Sequence, residues 1–343
     1  MRQTVLGKSG LKVSAVGFGG IPIQRLSEPD ALATILAALD MGVNFIDTAA
    51  GYSDSQCKIG MAIQGRREGL VLASKCGDKT REGMLREIDR SRRELGVDCI
   101  DLYQLHNSVQ DEASWAQVIE SVDGALAGLI EAKEKGWIGH IGYTSHSMDM
   151  ALRLTELDVF ETIQFPFNLV TSEPATELIP RCRERNLGFI VMKPLCGGQY
   201  DNAELAFKFL NAWPDLVPIP GIETAQEIQQ IVEIVESGAL LRGGQKVQAE
   251  QIARKLGKLF CRRCGYCMPC PQDVPIFFAM TFDSFLTRFS DQMLKNGPAA
   301  LVAAKAGNCT QCGLCESKCP YKLPIIEGVK KALAQARAVL ERP

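Results

Sequence analysis

The sequence predicts an α/β chain in two parts. A (β/α)8 barrel of the TIM type spans residues 1–240, and a mainly helical, cysteine-rich domain spans residues 241–343. Three observations predict it. Eight short apolar runs alternate with longer segments of helical period. That rhythm stops after residue 240. Beyond it lie eight of the chain's 13 cysteines, packed into two dense runs.

The strand-like runs are VSAVGF (13–18), VNFIDT (43–48), LVLASK (70–75), CIDLYQLH (99–106), IGHIGYT (138–144), ETIQFP (161–166), GFIVMK (188–193) and LVPIPG (216–221). Each is short, apolar and bounded by turn or polar residues. Between them, EPDALATILAALDMG (28–42) sets Leu32, Ile35, Leu36 and Leu39 on one helical face and ends in Gly42. REGMLREIDRSRRELG (81–96) repeats the form, and 172–183 and 224–236 behave similarly. Thr224 and Glu227 make a capping box just after the eighth run, which marks a helix start there. Strict strand–helix alternation implies right-handed parallel crossovers. Eight strands is the count for a closed barrel. The alternative is an open doubly wound sheet, which usually carries G-x-G-x-x-G after its first strand. Here that strand leads into Gly17-Phe18-Gly19-Gly20-Ile21-Pro22, without the third glycine.

After residue 240, LRGGQKV (241–247) reads as a linker. VPIFFAMTFDSFLTRFSDQML (274–294) reads as a long apolar helix-like segment between the cysteine runs. VKKALAQARAVLERP closes the chain.

Composition narrows the function classes. The chain is 46% hydrophobic and 23% charged, ordinary for a soluble globular protein. A net charge of −2 does not suit a nucleic-acid binder. Residues 241–343 hold 16 Lys and Arg against 7 Asp and Glu, so a basic module follows an acidic one. The N-terminus, MRQTVLGKSGLKVS, lacks the apolar core of a secretory signal. No run approaches the ~18 apolar residues of a membrane span. A cytoplasmic chain with no membrane partner is expected, and thiols stay reduced there. Thirteen cysteines in that setting point to metal before disulfides. Cys57, Cys76, Cys99, Cys182 and Cys196 share no spacing pattern and read as small buried side chains.

Chemistry on such a barrel lies at the C-terminal ends of the strands. Lys75 and His106 end the third and fourth runs, Asp47 is the next-to-last residue of the second, and Tyr52 follows Asp47 by five residues. Each alone has an ordinary structural reading: a turn cap, a surface cation, a structural histidine, a core tyrosine. Together, on three consecutive strand ends, they form a specific set.

GFGG, FIDTAAGY, LASK, DLYQLH, IGYTS and QFPFN together resemble the aldo/keto reductase family over about residues 1–240. The resemblance implies reduction of an aldehyde or ketone, or oxidation of the alcohol, by hydride transfer with NAD(H) or NADP(H). It implies Tyr52 as proton donor, Lys75 and Asp47 as its tuning pair and His106 as the orienting group. The physics suits those roles. Negative charge builds on the carbonyl oxygen as hydride arrives, and a phenol keeps its proton near neutrality. An adjacent ammonium makes that proton easier to give, and a histidine can donate a hydrogen bond to the same oxygen.

The same resemblance places Gly20, Ile21 and Asp47 beside the cofactor. It puts Ser145, Gln164 and Asn168 at the nicotinamide amide, with Thr144 beside the cofactor too, and Thr144-Ser145 replaces the more usual Ser-Asn. Met192 stands where many members have an aromatic residue. Lys193, Leu195 and Gly197 would line the pyrophosphate or a nearby loop. After the eighth strand many members carry Lys-Ser and then Arg for the 2′-phosphate of NADP; here Gly221, Ile222 and Glu227 occupy the matching places, beside Thr224. Glu223 and Glu227 would repel that phosphate, so the reading leans to NAD.

The cysteine runs are Cys261, Cys264, Cys267, Cys270-Pro271 and Cys309, Cys312, Cys315, Cys319-Pro320. Structural zinc usually wants two separated pairs. Three cysteines at steps of three followed by Cys-Pro suit a [4Fe–4S] cubane, and two runs suit two clusters. The long segment between the runs resembles helical dicluster ferredoxins. That resemblance implies crossed ligation: Cys261, Cys264, Cys267 and Cys319 for one cluster, and Cys309, Cys312, Cys315 and Cys270 for the other. The whole chain resembles the aldo/keto reductase branch with a C-terminal 4Fe–4S domain.

The expected activity is a nicotinamide-dependent carbonyl reductase with clusters of structural, sensing or electron-transfer role. The basic module could dock an acidic electron carrier such as a ferredoxin or flavodoxin. An alternative is an iron–sulfur electron-transfer protein that uses the barrel for docking or nucleotide sensing. Nicotinamide moves two electrons and each cluster one; a flavin normally mediates between them, and the chain shows no clear flavin signature.

Overall fold

The computed structural model describes residues 1–342. It divides into two compact units. The first holds Met1–Asn168, Ser172–Leu195 and Asn202–Leu241; the second holds Leu169–Thr171, Cys196–Asp201 and Arg242 onward.

The first unit begins with an antiparallel hairpin, β1 (Gln3–Val5) and β2 (Lys12–Ser14). Eight strands then follow in one curled parallel sheet: β3 (Phe18–Gly19), β4 (Phe45–Asp47), β5 (Val71–Cys76), β6 (Ile100–His106), β7 (Ile138–Thr144), β8 (Thr162–Pro166), β9 (Gly188–Met192) and β10 (Val217–Pro218). Neighbours in the sheet are neighbours in sequence. The helices of this unit are α1 (Glu28–Asp40), α2 (Ser55–Ala62), α3 (Arg81–Leu95), α4 (Glu112–Trp115), α5 (Ala125–Glu134), α6 (Met148–Thr155), α7 (Leu178–Glu184), α8 (Ala203–Leu210) and α9 (Ala225–Ser237). The edges of the sheet meet. Gly17 N donates to Pro218 O at 2.9 Å, Gly19 N donates to Pro220 O at 2.8 Å, and Gly19 bridges Gly221 in parallel. This seam has no room for side chains. A Cβ on Gly19 would lie 2.6 Å from Pro220 O, and one on Gly221 would lie 2.6 Å from Pro22 Cγ.

The strand expected over 13–18 is divided. Lys12–Ser14 belongs to the hairpin and only Phe18–Gly19 to the barrel. The apolar residues of the hairpin explain the split. Leu6 and Val13 pack with Phe45, Val71, Leu102, Ile190 and Val217, near the starts of the barrel strands, so the hairpin plugs that end. Helix starts follow local chemistry. Ser27 and Thr80 accept from Asp30 N and Gly83 N. The Thr224–Glu227 capping box is formed on both sides, and α9 stops at left-handed Gly238.

The second unit is helical: α10 (Gly244–Gly257), α11 (Ile276–Met280), α12 (Phe282–Leu286), α13 (Asp291–Asn296), α14 (Pro298–Lys305), α15 (Leu314–Lys318) and α16 (Ile325–Leu340). Two expectations are corrected here. The linker at 241–247 is shorter, because α10 begins at Gly244, directly after Gly243 with φ 50°. The segment 274–294 is not one helix but three short ones, broken at Thr281 and at Ser290, which caps α13. Its apolar residues still do the expected work: Val274, Ile276, Phe282 and Leu294 build a core with Val302, Val329 and Val339. Among the described residues, no helix is long and apolar enough to cross a membrane.

Candidate active site and cysteine cavities

Strand register gathers the polar residues at one end of the barrel. Asp47 is the last residue of β4, Lys75 lies beside Gln104, His106 beside Thr144, and Thr144 beside Gln164. Lys75 Nζ donates to Asp47 Oδ1 at 2.5 Å and to Thr48 O at 2.7 Å. Both charged side chains are fully enclosed, at 1% and 3% exposure. Burial pushes the Asp47 carboxyl above its ordinary value, while Lys75 and hydrogen bonds from Gln104 and Gln164 work against that rise. A buried ion pair seldom stabilises a fold better than apolar residues of equal volume. Its presence at the strand ends therefore points to chemistry.

Tyr52 sits in the turn between β4 and α2, half-buried. Lys75 Nζ lies 5.3 Å from the centre of its ring. The His106 ring meets it edge-on at 5.9 Å between centroids. The turn is fixed from several sides. Tyr52 N donates to Ala49 O at 3.0 Å, Ala50 N to Lys75 O at 2.9 Å, and Arg90 Nη2 to Ala50 O at 2.7 Å.

The expected cofactor residues fall into groups. Gly20 N donates to Asp47 O, and Ser55 Oγ donates to Gly20 O at 2.8 Å, which locks the Gly20–Ile21 loop to the strand end. Thr144 Oγ1 and Gln104 Oε1 are buried polar atoms without a protein partner among the described residues. They fit a polar ligand such as an amide. Ser145 Oγ instead donates to Ser147 O at 3.1 Å. Asn168 Nδ2 donates to Lys193 O at 2.8 Å, and Lys193 Nζ lies 2.9 Å from His146 Nε2. Met192 pairs with Pro166 in the sheet. Gly221 belongs to the barrel seam. Thr224 and Glu227 serve the cap of α9, where Glu227 Oε2 accepts from Glu223 N at 2.8 Å and Thr224 N at 3.2 Å. Glu223 is ion-paired with Arg25. Leu195 and Gly197 stand on either side of a unit boundary, and Gly197 is left-handed at φ 70°.

Sequence reasoning missed two groups. Gln104 bridges Asp47 and Gln164, with its Nε2 at 3.4 Å and 3.1 Å from their oxygens. Its signal was a glutamine inside the apolar run DLYQLH. His146, beside Lys193, had no signal beyond its place after a strand.

In the second unit the eight cysteines surround two separate cavities. Cys261, Cys264, Cys267 and Cys319 line one. Cys270, Cys309, Cys312 and Cys315 line another, which Cys267 also reaches. The two runs share a backbone pattern. Arg263 and Gly265 are left-handed in the first, and Gln311 and Gly313 at the same offsets in the second. Asp273 and Lys322, each three residues past the fourth cysteine, are left-handed as well. Alternating turns of this kind aim backbone N–H groups into a concavity, an arrangement that suits an anionic iron–sulfur cluster. Burial, then the neighbouring Cys261 and Cys264, pushes the Cys267 thiol up to about 12. Crowded thiols of this sort are relieved when iron takes their protons' place. The donor set and backbone thus fit the group. Among the described residues, no three His, Cys, Asp or Glu side chains are placed to hold a metal ion. Of the five scattered cysteines, Cys76, Cys182 and Cys196 are buried, and Cys57 and Cys99 partly so.

Comparisons with known proteins match two stretches of the chain. The family model described as "Aldo/keto reductase family" matches residues 15–211, and that described as "4Fe-4S dicluster domain" matches residues 260–324. Aldo-keto reductase YhdN of Bacillus subtilis is 27% identical over 217 residues, covering 58% of this chain and 63% of its own. L-galactose dehydrogenase of Arabidopsis thaliana is 29% identical over 212 residues, covering 56% and 65%. The chain thus spans a little under two thirds of the length of these curated relatives. Among solved structures, an aldo-keto reductase from Klebsiella pneumoniae in complex with NADPH superposes with a TM-score of 0.63 at 20% identity, covering 74% of this chain and 95% of its own. A holo form from Bacillus halodurans gives 0.63 at 23% identity, covering 75% and 96%. At such identities the likeness speaks for the fold.

Proposed function

The chain belongs to the aldo/keto reductase family, and from that premise we propose that it is an NAD(P)(H)-linked oxidoreductase interconverting a carbonyl and its alcohol, with two [4Fe–4S] clusters in its second unit. The observation that carries the reading is the enclosed Lys75–Asp47 pair, 2.5 Å apart, with its ammonium 5.3 Å from the Tyr52 ring centre. A bound nicotinamide supplies hydride to the carbonyl carbon or takes it back. Tyr52 then gives its phenolic proton to the carbonyl oxygen. Lys75 eases that transfer by favouring the phenolate, and Asp47 holds Lys75 in place. His106, edge-on to Tyr52, donates a hydrogen bond to the same oxygen and orients the substrate. In the oxidative direction Tyr52 takes the proton. Ser145, Gln164 and Asn168 would receive the carboxamide, with Thr144 beside them, and Lys193 and Leu195 the pyrophosphate.

The Klebsiella relative is described with NADPH. Here Glu223 and Glu227 stand at the start of α9, where many members of the family have cations, so we read a preference for NAD. Cys261, Cys264, Cys267 and Cys319 would hold one cluster and Cys270, Cys309, Cys312 and Cys315 the other, each cluster carrying one electron at a time. Cys312 is exposed, and that edge of a basic module suits an acidic electron carrier.

The test is anaerobic reconstitution followed by assay of the parent and Tyr52→Phe on a carbonyl panel. Loss of one general acid should lower kcat about 10²–10⁴-fold, with clusters and nucleotide binding intact. Equal rates for the two proteins would sink the reading.

A further inference from the structure

Gln104 is a fully buried polar side chain inside the barrel, and the reaction above leaves it without a task. It stands on β6, in register with Lys75 on β5 and Gly142 on β7. Its Nε2 lies 3.4 Å from Asp47 Oδ2, two strands away on one side, and 3.1 Å from Gln164 Oε1, two strands away on the other. The strand that separates Gln104 from Gln164 is β7, and the residue there is Gly142, paired with Thr162 on its far side. A Cβ on Gly142 would run into Thr162 Oγ1 and lie 3.1 Å from Gln104 Cγ. The missing side chain opens the path from β6 to β8.

Hydrogen-bond chemistry decides which way each amide faces. The Asp47 carboxylate, ion-paired with Lys75, can only accept. Gln104 must therefore turn its NH2 toward Asp47. The atom of Gln164 within reach of that same NH2 must then be its oxygen. The Gln164 amide in turn supports the Asp47 carboxylate, which it can do only through its own NH2. Flipping either amide would set like groups against each other. Gln164 Oε1 accepts one hydrogen bond in this network and has the capacity for a second. Gln104 Oε1 is buried without a protein partner among the described residues. A glutamine kept only to stabilise the core would have both ends satisfied.

We propose that Gln104 is a positioning residue that sets the Gln164 amide against the charge of Asp47, so that Gln164 Oε1 accepts from the NH2 of a nicotinamide carboxamide; this rests on the reading that Gln164 meets the carboxamide. The same side chain donates to the carboxylate that holds Lys75. Cofactor recognition and the ion pair behind the proton donor thus share one amide. Asp47, Gln104 and Gln164 stand on β4, β6 and β8 of a single sheet, which gives the network a rigid frame.

The test is calorimetric titration of the full, cluster-loaded chain under anaerobic conditions with two ligands. One is NAD+, or NADP+ if the parent binds it more tightly. The other is its 3-acetylpyridine analogue, which keeps the carbonyl and carries a methyl group in place of the NH2. The parent is expected to prefer the carboxamide. Gln104→Met removes the donor at nearly constant length and should narrow that preference about three- to tenfold, the worth of one neutral hydrogen bond. The affinity for the analogue should change little. Gln164→Met should abolish the preference, and Gln104→Met added to it should narrow nothing further. Gln104→Leu, an apolar variant of different shape, should behave as Gln104→Met does. A folded Gln104 variant that keeps the parent's preference, or that weakens both ligands equally, overturns the proposal, because the side chain would then only support the barrel. A parent and a Gln164→Met protein that both bind the analogue as tightly as the carboxamide would instead overturn the assignment of Gln164 to the cofactor, and the proposal with it.

Discussion

Replacing Asp47 with Asn would leave Lys75 as an uncompensated buried charge. Breaking an enclosed pair in this way costs about 3–5 kcal/mol, so Asp47→Asn should lower both the melting temperature and turnover. Tyr52→Phe should lower turnover alone, because the ring is half-buried and its packing survives. Thermal unfolding beside kinetics separates the two, and an Asp47→Asn protein as stable as the parent would count against the enclosed pair. Asp47, Lys75 and His106 could be read in the sequence because each stands at or next to the end of a short apolar run. Gln104 could not, since a glutamine within a strand looks the same whether it faces solvent or bridges Asp47 and Gln164. The turn of Ser145 toward Ser147 was equally hidden, because it depends on a local loop shape.

At the scale of elements, Glu161 binds three of them. It pairs with Lys133 of α5 and His140 of β7, both at 2.6 Å, and leads into β8. Hydrogen bonds and charge from His140 and Lys133 outweigh its burial and bring the carboxyl down from 4.5 to about 2. A lowered carboxyl contributes stability above its unfolded value and loses it as pH falls through the folded one. Glu161→Gln should therefore cost on the order of 2 kcal/mol at pH 7, discounting for the exposed lysine. The deficit should shrink between pH 4.5 and about 2. Urea midpoints across pH would show it, and a deficit that grows in acid would contradict it. At α9, Glu227→Gln keeps the capping box, which accepts either residue, but removes a charge. NADPH affinity should rise about two- to fivefold relative to NADH, matching ~0.3–1 kcal/mol for a charge at a helix start. An unchanged ratio in paired titrations would remove Glu227 from the cofactor site. Elements themselves were legible where the period was long and regular, as in α1, α3 and α9. The hairpin was not, since Val13 and Phe18 fit one apolar run until Leu6 and Val13 are seen packed together. Likewise, apolar spacing over 274–294 gives no hint that Thr281 and Ser290 interrupt it.

For the whole molecule, two modules were visible in charge and cysteine density, while the assignment of two barrel loops to the cysteine module was not. No local pattern marks Val170 or Gly197 as partners of residues about 90 positions later. The second unit has its own apolar core, into which Cys319 is packed. Anaerobic iron chelation should therefore lower the melting of that unit and leave the barrel transition in place, since metal binding and folding are coupled. Scanning calorimetry with one undisplaced transition before and after chelation would refute this. The interleaved chain also bears on engineering. A truncation after Leu241 looks like a clean excision of a barrel, yet it discards Arg262 and Ser284, which donate to Val170 O and Gly197 O, and leaves Leu169–Thr171 and Cys196–Asp201 without the unit they fold with. The excised barrel would be an unfinished part rather than a minimal enzyme, and grafting the cysteine module onto another barrel would require transplanting both loops along with it.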